Sequence, residues 1–362
     1  MAEKTRNNGI ELLRIISMAM IVCMHFYTHS ELWKNIPVYS GIYYASHGLM
    51  ALCRVAVDIF VLITGMFMVR KKFASRRIFS VMLMTWFYAL ALFAVYSIFV
   101  QGNFNGSVLF RSLLPITTKL YWFMTAYFAI MLLSPFVNKL LNSLSDKAWK
   151  LLIGIQILLY SVMYFVFPTA DLFHLDKGYS VLWFTLVYSI GAYLGTHEQK
   201  KRPWILFYFI LALVQFVGLQ TIAEVKKQVP EAGDYSVFFS NYNGPLVLLQ
   251  AVCIVIAFRQ LGESHGDNAF LRFTGKFGKY AIGIYLIHEN PYLRATLWKG
   301  IVDPNRFVKS PVIFAYLLLV VLIIIAAGLL VEFLRSKVAG KILSSKAAAK
   351  LCSKIDGMFS GL

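Results

Sequence analysis

The chain has 362 residues, of which 59% are hydrophobic and only 14% charged, with a net charge of +18. A soluble protein carries roughly 25% charged residues, so the composition excludes a water-soluble globular domain. The basic residues lie in short segments between apolar runs, with no continuous basic domain to track a phosphate backbone. That pattern argues against a nucleic-acid partner and for membrane lipids, anionic at the cytoplasmic face.

A membrane-spanning helix needs roughly 20 mostly apolar residues. In chain order the runs are Ile10–Thr28, His47–Val69, Ile78–Val100, Leu120–Val137, Trp149–Phe167, Tyr179–Gly195, Trp204–Thr221, Gly244–Arg259, Lys279–Trp298 and Pro311–Leu334. The expected fold is therefore all-α, a polytopic membrane helix bundle of about ten transmembrane helices. His288, Glu289 and Pro291 interrupt the ninth run. The first run carries Glu11, Arg14 and His25 and lacks an early small-x-small cleavage site, so it reads as a retained helix and not a signal peptide. Residues 1–335 read as one transmembrane domain and 336–362 as a basic cytoplasmic tail. Cys23, Cys53, Cys253 and Cys352 show no metal-type spacing and read as buried free thiols.

With the N-terminus inside, the cytoplasmic segments hold 23 of the 35 basic residues and the opposite side 10, with Arg14 and Arg54 inside helices. The bias predicts an N-in, C-in arrangement. A multi-pass membrane protein follows.

Ionisable groups inside a membrane are costly and mark function or a structural pair. Arg14 and His25 are eleven residues apart on the first helix, within roughly 20° of one face and separated by about 16 Å along the axis. Read structurally, Arg14 snorkels to lipid phosphates and His25 is a satisfied interfacial residue. His29 lies four residues beyond His25, a spacing that can place two imidazoles on one metal, but no third ligand is evident and no metal is expected. Arg54 and Asp58, one turn apart, suggest a self-neutralising pair. The cluster Arg70, Lys71 and Lys72 is a topology signal that can also receive cofactor phosphates. His288 and Glu289 are adjacent, so they point about 100° apart rather than pairing directly.

These residues resemble the integral-membrane acyltransferase family 3, the bacterial envelope O-acyltransferases that modify sugars. The family carries a basic residue and a histidine at the spacing of Arg14 and His25. Its Phe-rich second helix ends in Ser-Gly-Phe before basic residues; here the element reads Thr64-Gly65-Met66 before Arg70. Tyr121-Trp122-Phe123 through Ser134-Pro135 is similar to a Trp-Phe…Pro helix of the family, and Tyr285-Leu-Ile-His288 to its late Tyr-Leu-x-His element.

The resemblance implies transfer of an acyl group, expected to be acetyl, from cytoplasmic acyl-CoA to a sugar hydroxyl of an envelope polysaccharide or an undecaprenyl-linked glycan. Arg14, with Arg70, Lys71 and Lys72, would attract the CoA phosphates. His25 would act as general base or briefly carry the acyl group. The rival reading is a proton-coupled transporter or lipid-linked sugar flippase using Arg54, Asp58, His288 and Glu289 without acyl transfer.

Overall fold

The computed structural model describes residues 7–166, 171, 173–229 and 236–359, and among them it contains helices and no strand. Lys4 and Arg6, counted in the charge bias, and Phe167, where the fifth run ends, lie outside the described residues. The helices are α1 (Asn8–Thr28), α2 (Gly41–Cys53), α3 (Ala56–Met68), α4 (Ser75–Val95), α5 (Gly106–Leu113), α6 (Trp122–Ser143), α7 (Asp146–Ile157) and α8 (Met163–Val166). They continue with α9 (Val181–Thr196), α10 (Trp204–Gln228), α11 (Val237–Ser240), α12 (Pro245–His265), α13 (Ala269–Gly275), α14 (Ala281–His288), α15 (Val312–Leu343) and α16 (Lys346–Met358).

Eight helical stretches among the described residues are long and apolar enough to cross a membrane. They coincide with eight of the ten apolar runs. The other two runs come out differently for physical reasons. The sixth forms α9, an apolar helix of only 16 residues. The ninth is broken where α14 stops at His288, because Pro291 has no amide hydrogen and disfavours helical backbone at Asn290.

The chain divides into two compact units. The first comprises residues 1–21, 43–69 and 140–279. Within it α3 packs on α9 at backbone distance. A Cβ added at Gly65 would lie 2.1 Å from the Tyr188 carbonyl oxygen, and one at Gly191 2.1 Å from the Leu62 carbonyl oxygen. Helices in lipid associate through such close contact, since apolar burial gives little drive there. The α2–α3 stretch is interrupted at Arg54–Val55, which leaves helix-end carbonyls to satisfy. Tyr208 donates its hydroxyl to Leu52 O (2.7 Å), and Gln250 donates to Ala51 O (3.3 Å).

Asp58 follows that interruption and is fully buried, accepting the Trp183 indole N–H at 3.0 Å. Both residues are among the described ones, and no ion pair joins Arg54 to Asp58. The pairing suggested by their spacing requires an unbroken helix, and the turn at Arg54–Val55 removes that register.

The second unit comprises residues 22–42, 70–139 and 280–362. Here α14 packs against α15 and α4. Gly283 makes room for the Glu332 side chain, which a Cβ at that position would meet at 2.7 Å. Glu332 is buried and receives two hydrogen bonds of 2.7 Å from Arg335 and one of 2.9 Å from the Tyr88 hydroxyl. A buried carboxylate is tolerable only with such satisfaction of its oxygens. Helix α15 continues past Arg335 to Leu343. α16 then returns against α4, where Asp356 accepts the Ser75 amide at 2.7 Å.

Gly65→Ala is expected to force α3 and α9 apart and to lower the apparent melting temperature of the detergent-purified protein, an overpacking cost of about 1–3 kcal/mol. Gly48→Ala on α2, where nothing lies within 4 Å of the added carbon, is the control and should be neutral or stabilising. Equal melting of both variants and the parent protein would remove the close α3–α9 contact.

Candidate active site

The site lies wholly in the second unit and begins with the break that ends α14. Asn290 is fully buried, and its side-chain oxygen accepts the amides of Tyr292 (3.1 Å) and Leu293 (3.3 Å). It thereby caps the turn that Pro291 opens, a pairing of capping residue and proline suited to a fresh helical start. Upstream, the carbonyls that lose their helical partners find others. Tyr121 donates its hydroxyl to Leu286 O (3.1 Å) and accepts from the Asn290 amide (2.8 Å). The fully buried Trp298 donates its indole N–H to His288 O at 3.3 Å. Two stretches distant in sequence, Tyr121-Trp122-Phe123 and Tyr285-Leu-Ile-His288, are thus joined at one place.

This frame carries His288 and Glu289 to the end of α1. His288 Nδ1 lies 2.6 Å from the Ile284 carbonyl oxygen, and His288 Nε2 lies 3.0 Å from His25 Nδ1. A carbonyl can only accept, so His288 Nδ1 carries the proton and its Nε2 is an acceptor. With both rings neutral, His25 Nδ1 must then be the donor to it. The proton on Nδ1 leaves the lone pair of His25 on Nε2. A chain of partners running from a backbone carbonyl therefore fixes the tautomer of His25.

Glu289 adds charge to the same place. Its Oε2 lies 3.3 Å from His25 Nδ1 and 2.7 Å from His29 Nε2, and its Oε1 accepts from Arg294 at 2.9 Å. The side chains of His25 and His29 keep 17% and 16% of their exposure, whereas His288 is buried. The expectation that His288 and Glu289 diverge holds for a continuous helix. Because α14 stops at His288, Glu289 leaves helical geometry and both side chains reach His25.

Sequence reasoning did not find His29, Tyr121, Asn290, Arg294 or Trp298 as parts of one network. Only the interruption of the ninth run by His288, Glu289 and Pro291 pointed to a helix break. The third metal-type ligand that sequence did not show is Glu289: His25, His29 and Glu289 each offer a ligand atom within 4.8 Å of the others.

The remaining candidates sit elsewhere. Arg14 is three turns back along α1, with its Nε buried, lacking a hydrogen-bond partner and 3.9 Å from Glu11 Oε1. Arg70, Lys71 and Lys72 follow the end of α3 and are exposed. Arg54 and Asp58 are in the first unit, at the α2–α3 interruption.

No curated protein and no solved structure matches the chain. A family model described as an acyltransferase domain matches residues 7–332, which takes in α1, the α2–α3 stretch, α6 and α14. On a match that covers nearly the whole chain, this multi-pass membrane protein belongs to acyltransferase family 3.

Proposed function

We propose that the protein is an O-acetyltransferase moving acetyl from cytoplasmic acetyl-CoA to a sugar hydroxyl of an envelope polysaccharide or lipid-linked glycan, in the plasma or inner membrane with both ends in the cytoplasm. The observation that carries this reading is the His288–His25 pair, 3.0 Å apart and anchored on the Ile284 carbonyl, an arrangement that with both rings neutral assigns the lone pair of His25 to Nε2. That lone pair takes the proton of the sugar hydroxyl as its oxygen attacks the thioester carbonyl. The C–S bond then breaks, and the proton passes to the departing CoA thiolate. Between those steps His25 is a cation, and the Glu289 carboxylate 3.3 Å from Nδ1 stabilises it, as a carboxylate behind a histidine base does in acyl transfer generally. His288 is a positioning residue that sets the tautomer.

The CoA phosphates need cations. Among the described residues the Arg14 Nε makes no hydrogen bond and has only Glu11, at 3.9 Å, as a charge partner, and Arg70, Lys71 and Lys72 are exposed after α3. An arginine fork matches phosphate geometry. The Lys/Arg bias supports a cytoplasmic position for these groups, on the side where acyl-CoA is made.

His25→Gln is expected to cut glycan acetylation, measured by mass spectrometry in cells making the variant at parental levels, by about 10²–10⁴-fold. Glutamine keeps hydrogen bonding but cannot take up the proton. Parental acetylation by this variant would remove His25 from the chemistry.

Arg14→Ala should weaken acetyl-CoA binding by the purified protein, and Arg14→Lys should do so less, since charge survives without the fork. Unchanged affinity in the alanine variant would return Arg14 to a lipid-facing role.

For the orientation, single cysteines at the exposed positions Lys72 and Ser353, in a chain cleared of its own cysteines, should escape a membrane-impermeant maleimide in intact cells and react after permeabilisation. Strong labelling of either in intact cells would overturn the N-in, C-in arrangement.

A further inference from the structure

The network around His25 holds more metal-ligating atoms than a histidine base requires. Glu289 Oε2 lies 2.7 Å from His29 Nε2 and 3.3 Å from His25 Nδ1, and His288 Nε2 lies 3.0 Å from His25 Nδ1. Four ligand atoms at bonds of about 2.0–2.1 Å from a tetrahedral zinc ion are about 3.3 Å apart. Glu289 Oε2 already sits 3.3 Å from His25 Nδ1, and its 2.7 Å contact with His29 Nε2 must open. The ligand atoms of His25, His29 and Glu289 all lie within 4.8 Å of one another, so imidazole movements of about 1 Å bring the set to one ion.

The supporting contacts also suit a metal. His288 Nδ1 is held by the Ile284 carbonyl and Glu289 Oε1 by Arg294. Ligands tied from behind in this way are oriented toward an ion and made better donors. Three imidazole nitrogens with one carboxylate form a donor set for borderline ions such as Zn2+, and not for Mg2+ or Ca2+, which take oxygen.

We propose that His25, His29 and Glu289, with His288 placed to close the fourth position, bind one divalent transition-metal ion of the zinc type, and that its binding switches off transfer. The switch follows from the ring chemistry. Coordination through His25 Nδ1 displaces the proton now on that atom, and the single proton of the neutral ring then resides on Nε2. An Nε2–H group cannot accept the hydroxyl proton. Zinc and the reacting hydroxyl therefore compete for the two tautomers of one imidazole. The inhibitory part rests on the base role proposed for His25; the binding part does not.

The test uses the full-length protein, purified in detergent and stripped with a chelator. Zinc sulfate is titrated in by equilibrium dialysis with elemental analysis. One tightly held zinc per chain is expected. His29→Ala and the near-isosteric Glu289→Gln should each weaken it by more than about tenfold, while His265→Ala, at the exposed end of α12, should leave it unchanged. Monodisperse elution of each variant excludes misfolding as the cause. Equal zinc affinity in all four proteins would overturn the site.

The second arm reads acetyl transfer. Zinc should inhibit the parent protein and chelator should restore it. The transfer that His29→Ala retains in chelator should resist zinc at concentrations that inhibit the parent protein. Loss of transfer in chelator with rescue by zinc would overturn the inhibitory role. No transfer under any condition would count against the acetyltransferase reading and leave the zinc titration standing.

Discussion

A helix broken inside a membrane bundle must pair its freed amides and carbonyls within the protein, because lipid offers no hydrogen bonds. The end of α14 meets that demand completely enough to be built upon. Leu286 O is taken by Tyr121, His288 O by Trp298, and the amides beyond Pro291 by the Asn290 side chain. Each unpaired group would cost about 1–3 kcal/mol. The three side chains together therefore make the difference between a tolerated break and an intolerable one. Because they hold the backbone, they also fix where His288 and Glu289 point, and through them the tautomer of His25.

The first unit solves the same problem in its own way. The interruption at Arg54–Val55 frees carbonyls that Tyr208 and Gln250 take up. The first helical turn after it buries Asp58 against Trp183. Both breaks place an ionisable residue at or just after the point where helical register is lost. A continuous helix presents its side chains at fixed 100° steps. A break is the means by which adjacent residues such as His288 and Glu289 can serve one centre.

Much of this was legible in the sequence, and the limits have a physical origin. Apolar length is a local property, so runs such as Ile78–Val100 and Trp204–Thr221 reappear as helices with ends displaced by up to seven residues, as where α10 runs on from Thr221 to Gln228. The Arg14–His25 spacing was equally local, as both lie on one uninterrupted helix. One break was visible as the interruption of the ninth run by His288, Glu289 and Pro291 and the other not at all, since Arg54 and Val55 are not helix breakers by composition. The assembly of the site was out of reach, because Glu289 meets His29 across 260 residues of chain. His25 and His29 therefore look isolated in sequence, and Glu289 joins them only in space.

Two sets of contacts hold the end of α1 near the segment that follows α14, and their magnitudes differ. On the surface, Glu31 binds Lys299 and Lys34, and its carboxyl is lowered to about 2, first by the hydrogen bond from Lys299 and then by that from Lys34. Asn305 adds a bond to Ser30 O at 3.1 Å. Exposed ion pairs of this kind contribute little, since water and salt screen them and two long side chains must be ordered. Inside, Trp298 is fully buried within 6.1 Å of the His288 ring and 6.4 Å of His29, and Phe26 is fully buried against Tyr316. Removal of a buried aromatic costs about 3–5 kcal/mol, several times what the surface clip supplies. The register between α1 and the His288–Glu289 pair is therefore set by packing around Trp298 and Phe26, and the charged residues outside trim the loop without positioning the histidines.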